Sequence, residues 1–178
     1  MKGLGTALIT PFNEDRSIDF PALGSLIEHQ IAGGVDYLVL LGTTSEVPTL
    51  SAKEQTQVIE FAIERVAGRV PLVLGMGGND TAALVARIHS MASMLQQHFA
   101  AILSVTPYYN RPQQEGLYQH FCAVAESSPV PVILYNVPKR TGVNLLPETT
   151  RRIYDAQPKK IVGIKEACGS VEQFAETV

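Results

Sequence analysis

Cysteine is scarce in this sequence. Cys122 and Cys168 stand far apart among 178 residues, with no C-x-x-C and no Cys/His cluster. Neither a zinc knuckle nor a disulfide framework is indicated, which suits a reducing cytosol. Positive charge is also in short supply, with 14 Lys and Arg against 17 Asp and Glu for a formal net charge of -3. The cations are scattered instead of forming the basic stripe of a nucleic-acid surface. The opening "MKGLGTALITPF" has only a short apolar stretch, broken by Thr and Pro, and no small-residue cleavage site. A cytoplasmic protein with no nucleic-acid and no membrane partner is therefore expected. Missing as well is a G-x-G-x-x-G turn after the first apolar run, where the sequence reads "TPFNEDRS". What remains is 46% hydrophobic, enough to bury a substantial core in one domain.

Six apolar runs recur about every thirty residues: "GTALITPF" (5 to 12), "YLVLLG" (37 to 42), "VPLVLGMGG" (70 to 78), "AAILSVTP" (100 to 107), "PVILYNVP" (131 to 138) and "IVGIKEA" (161 to 167). Each has strand length and is continuously apolar, as strands covered on both faces are. Helical spacing fills the gaps between them. Phe20, Leu23, Leu26, Ile27 and Ile31 form one stripe, with Asp19 as N-cap and Gly33-Gly34 as the stop. Ser51 to Glu54 is a capping box, Asn79 or Asp80 caps the third helix, and Pro147 opens the fifth. Alternation with short connections predicts a parallel sheet built by right-handed crossovers. An open doubly wound sheet and a (β/α)8 barrel both satisfy it, and the regular repeat favours the barrel. The Gly-rich "GMGGND" reads as tight-turn chemistry more readily than as a phosphate cradle.

In a β/α barrel, catalytic groups gather at the C-terminal ends of the strands. Those ends carry Thr10, Thr43 and Thr44, Tyr108 and Tyr109, Tyr135 with Arg140 following, and Lys165. A buried strand does not end in an amine without a reason. Desolvation at a barrel mouth disfavours ammonium, and the neutral amine attacks a ketone to give a carbinolamine and then an imine. Each step moves protons, which Tyr and Thr hydroxyls relay because they both donate and accept. The bland alternatives are a Lys paired or snorkelling to solvent, a core Tyr, turn threonines and a solvated loop Arg. Arg140 has the planar fork that clamps a carboxylate. His29, His89, His98 and His120 fall in or beside helices, and Glu46 and Glu166 complete no metal-ligand spacing. No metal and no cofactor is expected; pairing or a helix-start role is the reading for both Glu46 and Glu166.

From "GTALITPF" through "GTTSE", "TPYYNRPQQEGLYQHF" and "YNVPKRTG" to "GIKEACG", order and spacing resemble the dihydrodipicolinate synthase / N-acetylneuraminate lyase family of class I, Schiff-base aldolases. The resemblance runs the whole length. It implies the (β/α)8 barrel and an imine between Lys165 and pyruvate. Thr43, Tyr135 and Tyr109 would then form the proton relay, Tyr109 reaching into a neighbouring subunit's site. Thr44 would help hold the pyruvate carboxylate and Arg140 the carboxylate of the second substrate. "YNVPxRTG" resembles the synthase branch, which condenses pyruvate with L-aspartate 4-semialdehyde to 4-hydroxy-tetrahydrodipicolinate in lysine biosynthesis. A homotetramer, a dimer of dimers, is implied as the assembly. The other readings are a sugar-acid lyase of the same group and a catalytically inactive barrel fragment.

Three positions or features depart from the family pattern. Ser45 stands where the family usually has Gly, so a positive φ there would carry strain. Members inhibited by lysine carry His and Glu around an inter-subunit pocket, where this sequence places Ala52, Gln55 and Ala83. Finally, residues 1–178 hold only about the first six β/α units of one barrel domain, and an exposed sheet edge is expected after the sixth strand.

Overall fold

The computed structural model describes residues 2–177. In chain order the elements are β1 (Gly5–Ala7), α1 (Phe20–Ala32), β2 (Tyr37–Leu40), 3-10 turns at Thr43–Ser45 and Val47–Thr49, α2 (Ala52–Val66) and β3 (Leu72–Gly75). There follow α3 (Thr81–Ser90), α4 (Ala92–His98), β4 (Ala101–Val105), α5 (Gln114–Ser127), β5 (Val132–Asn136), α6 (Pro138–Thr141), α7 (Pro147–Ala156), β6 (Ile161–Glu166) and α8 (Val171–Thr177). They form two compact units, the first made of residues up to 75 with 98–100, the second of 76–97 and the residues from 101 onward.

In the first unit β1 pairs with β2 and β2 with β3, all parallel. β1 covers only three residues of the expected run. Pro11 lacks a ladder donor, and Phe12 instead makes an isolated antiparallel bridge to Ile18. The helix signals act as read. Asp19 Oδ1 accepts from Ala22 N at 2.8 Å, and α1 ends at Gly33 with Gly34 at φ +81°. Ser51 and Glu54 form the reciprocal capping box of α2. The two helices meet through the Phe20 and Phe61 rings, 5.1 Å apart, and through Glu28, which binds Arg65 and Arg69.

In the second unit β4 pairs with β5 and β5 with β6, again parallel. Asp80, not Asn79, caps α3, its Oδ1 accepting from Ala83 N at 3.0 Å. The single helix expected after it is broken at Met91, whose N–H reaches back to the carbonyls of Arg87, Ile88 and His89. Within "GMGGND", a Cβ on Gly77 would lie 2.5 Å from Val105 Cγ1, so this glycine permits close approach of the turn to β4. α5 buries Leu117, Phe121, Val124 and Ala125. Each fully buried large side chain contributes about 1.5–3 kcal/mol relative to exposure.

Burial along the strands divides in one place. β2, β3, β4 and β5 are almost wholly buried, as continuously apolar runs require. β6 is not: Val162, Gly163 and Lys165 are exposed, and among the described residues no strand lies against its second edge. No described helix is long and apolar enough to cross a membrane.

Candidate active site

The turn after β2 places Thr43 and Thr44. Leu41 (φ 50°) and Glu46 (φ 55°) bracket it in the left-handed region, and Ser45 N donates to Gly42 O at 3.0 Å. Ser45 has no positive φ, so the condition under which it would carry strain is not met. Ser45 itself is helical and buried, and its Oγ donates to Leu8 O at 2.6 Å. Thr10 Oγ1 donates to Ser45 O at 2.8 Å, so Thr10 anchors the turn instead of facing solvent as a free hydroxyl. Thr43 and Thr44 are exposed, and neither hydroxyl has a hydrogen-bond partner among the described residues.

In the second unit, Tyr135 and Lys165 are directly paired in the β5/β6 ladder. The Lys165 Nζ lies 4.6 Å from the centroid of the Tyr135 ring, within the range of a cation over an aromatic face. Tyr135 is buried at 7% exposure, whereas Lys165 is exposed. The desolvation expected of this lysine is thus not supplied by the described residues; what they supply is the ring and the strand register.

Tyr109 and Arg140 stand on the loops after β4 and β5. Tyr109 is 89% exposed at φ 72°, and its loop is held by Asn110, whose Nδ2 donates to Asn79 O at 2.9 Å. Arg140 is exposed on α6, a single turn that starts at Pro138 and stops at Gly142 (φ 71°). Thr141, buried, fastens that turn by donating to the Val137 and Val143 carbonyls and accepting from Thr106. Arg111 Nε adds a bond to Gly142 O at 3.1 Å. A polar cleft of about 540 Å³ opens beside these residues, lined by Arg111, Gln114, Gly142 and Asn144; Lys165 and Tyr135 do not line it.

The second unit therefore brings Tyr135 and Lys165 together and sets Tyr109 and Arg140 on adjoining loops, while Thr43 and Thr44 belong to the first. Sequence reasoning missed the polar residues behind the pair. Asn136, fully buried, donates through Nδ2 to Glu166 Oε1 and Oε2 at 3.1 and 3.0 Å and to Asn144 Oδ1 at 2.8 Å. Glu166 also accepts from Cys168 N at 2.7 Å and from Gln173 Nε2 at 3.1 Å; its partners are neutral donors, not the cation that an ion pair would need. The signal was present in the strand alternation, since Asn136 and Glu166 each follow a residue assigned to the opposite face.

All four histidines lie in helices, as expected. His120 on α5 is buried, which pushes its pKa down to about 4, and its Nδ1 lies 2.7 Å from Thr81 Oγ1. Burial also raises the Cys122 thiol, the opposite of what an activated nucleophile requires. Among the described residues no group of three His, Cys, Asp or Glu side chains is placed to hold a metal ion.

A model of the dihydrodipicolinate synthetase family matches residues 1–178. The chain is 48% identical over 178 residues to a 4-hydroxy-tetrahydrodipicolinate synthase of Parabacteroides distasonis, covering 100% of this chain and 59% of the relative. It is 52% identical over 176 residues to the enzyme of that name from Flavobacterium psychrophilum, covering 99% and 59%. The crystal structure of dihydrodipicolinate synthase from Aquifex aeolicus superposes with a TM-score of 0.91 at 40% identity, covering 100% of this chain and 59% of that one. The chain thus spans 59% of the length of these relatives. Its fold class is the (β/α)8 barrel, represented here by six β/α units. A family model that matches the chain from end to end, with relatives 48% and 52% identical over nearly its whole length, places the chain in the dihydrodipicolinate synthetase family.

Proposed function

We propose that this protein is a Schiff-base lyase that condenses pyruvate with L-aspartate 4-semialdehyde to 4-hydroxy-tetrahydrodipicolinate, in lysine biosynthesis by the diaminopimelate route. The observation that carries the proposal is the paired placement of Lys165 and Tyr135 at adjacent strand ends in a chain of this family. The Lys165 amine, when neutral, attacks the keto carbon of pyruvate; the carbinolamine loses water to give an imine. Removing a methyl proton converts the imine to an enamine, whose carbon attacks the aldehyde of the second substrate, and the alkoxide so formed takes up a proton; the amino group of the semialdehyde then adds to the imine carbon and expels the Lys165 amine, which closes the ring and frees the product.

Tyr135 is the direct cross-strand partner of Lys165, and its hydroxyl both delivers and accepts the protons these steps require. Thr43 and Tyr109 extend the relay, the latter by entering a neighbouring subunit's site. Its 89% exposure leaves that ring available to a second copy. Thr44, in a turn with exposed hydroxyls, receives the pyruvate carboxylate. Arg140 receives the carboxylate of the semialdehyde through its guanidinium fork. The reaction so described requires no cofactor and no metal. A homotetramer, a cytoplasmic location and a single barrel domain for residues 1–178 belong to the same proposal.

The experiment is a chase. Labelled pyruvate is loaded onto the protein, and aspartate semialdehyde or N-acetylmannosamine is added before reduction with borohydride. Loss of label with aspartate semialdehyde alone is expected; loss with the amino sugar instead would transfer the protein to the sugar-acid branch.

A further inference from the structure

The β5/β6 ladder is irregular at its start. Val132 pairs with Ile161, but the next residue, Ile133, pairs with Gly163, leaving Val162 as an extra residue on β6. Such a bulge re-aims every side chain that follows, and a slip of one residue turns a whole strand over. In the register observed, Tyr135 and Lys165 are partners, and so are Asn136 and Glu166.

The polar pair on the opposite face is tied down from several sides. Asn136 Oδ1 accepts from Leu145 N at 2.9 Å while its Nδ2 reaches both Glu166 oxygens. The Asn136 carbonyl accepts from Ala167 N at 2.9 Å. Gln173 Nε2 and Cys168 N complete the shell of the carboxylate, and no Lys or Arg pairs with it among the described residues. Hydrogen bonds to a charged acceptor in a partly buried site are the stronger kind, and they are lost if the strand slips.

We propose that Asn136 and Glu166 are positioning residues that lock the β5/β6 register beyond the bulge at Val162 and so hold the Lys165 amine over the Tyr135 ring. The inference rests on the imine chemistry proposed for Lys165.

The test measures the rate at which pyruvate and borohydride modify Lys165 in the unaltered chain, in Glu166→Ala and in Glu166→Gln, as a function of pyruvate concentration. For Glu166→Ala the maximal rate is expected to fall about 10- to 100-fold while the half-saturating concentration changes less than about twofold, as for a displaced reacting group. Glu166→Gln, which keeps one acceptor oxygen, recovers much of the rate. A purely structural role would lower the unfolding temperature and leave the maximal rate per folded molecule unchanged, and that result overturns the inference. Should Glu166→Ala fail to fold, Gln173→Ala and Asn136→Ser, which weaken the same shell, are read against the same two outcomes. Failure of the unaltered chain to trap pyruvate at Lys165 would refute the imine reading and this inference together; unchanged variants would refute the positioning alone.

Discussion

Lowering the pH from 8 to 4 perturbs one buried group before any of the carboxylates. His120 is 3% exposed, and its Nε2 has no hydrogen-bond partner among the described residues, so protonating it places an unpaired charge in the core. Its pKa is about 4 in the folded chain against an ordinary 6.5. Between those values the unfolded chain binds the extra proton and the folded chain does not. Stability is therefore full above 6.5, declines as pH falls toward 4, and flattens below that. A fall from 6.5 to about 4 corresponds to a total of about 3 kcal/mol, of which about 2 kcal/mol is lost by pH 5. The carboxylates that hydrogen bonds hold below their ordinary values, Glu28 and Glu54 among them, act only below about 4.5. The assay is urea unfolding followed by far-ultraviolet circular dichroism from pH 8 to 4.5, comparing the chain with His120→Asn, which keeps a polar atom near Thr81. The variant is expected to be less stable at pH 8 but nearly flat across the window. An equal slope in both proteins would refute the assignment of the pH dependence to His120.

Other outcomes follow from particular contacts. Arg140→Ala is expected to raise the half-saturating aspartate semialdehyde concentration about 10- to 100-fold, the loss of a charge-assisted bond, with little change for pyruvate; equal losses in steady-state kinetics would contradict its role. Ser51→Ala removes the capping box of α2 and should cost about 1 kcal/mol in chemical unfolding, since its hydroxyl caps Glu54 N. Gly77→Ala inserts a methyl 2.5 Å from Val105 Cγ1 and is expected to lower stability by about 1–3 kcal/mol, read as a shift in the unfolding midpoint.

Local signals in the sequence translate well where they act over one turn. Asp19, Asp80, Ser51 with Glu54, and Pro147 all open the helices they were expected to open, because a cap needs only its own next three residues. The strand runs are equally legible for β2 to β5, whose residues are buried as their composition requires. α6 escaped notice because the four residues Pro138–Thr141 are too short for hydrophobic periodicity, though both end signals, Pro138 and Gly142, are there. β6 misleads in another way: "IVGI" is apolar, yet Val162 is 53% exposed. The site divides along the same line. Lys165 beside Tyr135 follows from pairing successive strand ends, whereas the clamp of Asn136, Glu166, Asn144 and Gln173 depends on a bulge and on contacts 29 or 30 residues apart in the chain.

Sodium borohydride reduction in the presence of pyruvate, followed by peptide mapping, addresses the amine itself. The account predicts a reduced pyruvyl adduct on Lys165 and no comparable adduct on Lys139, Lys159 or Lys160. Modification spread evenly over the lysines, or an unmodified Lys165 at saturating pyruvate, would contradict it.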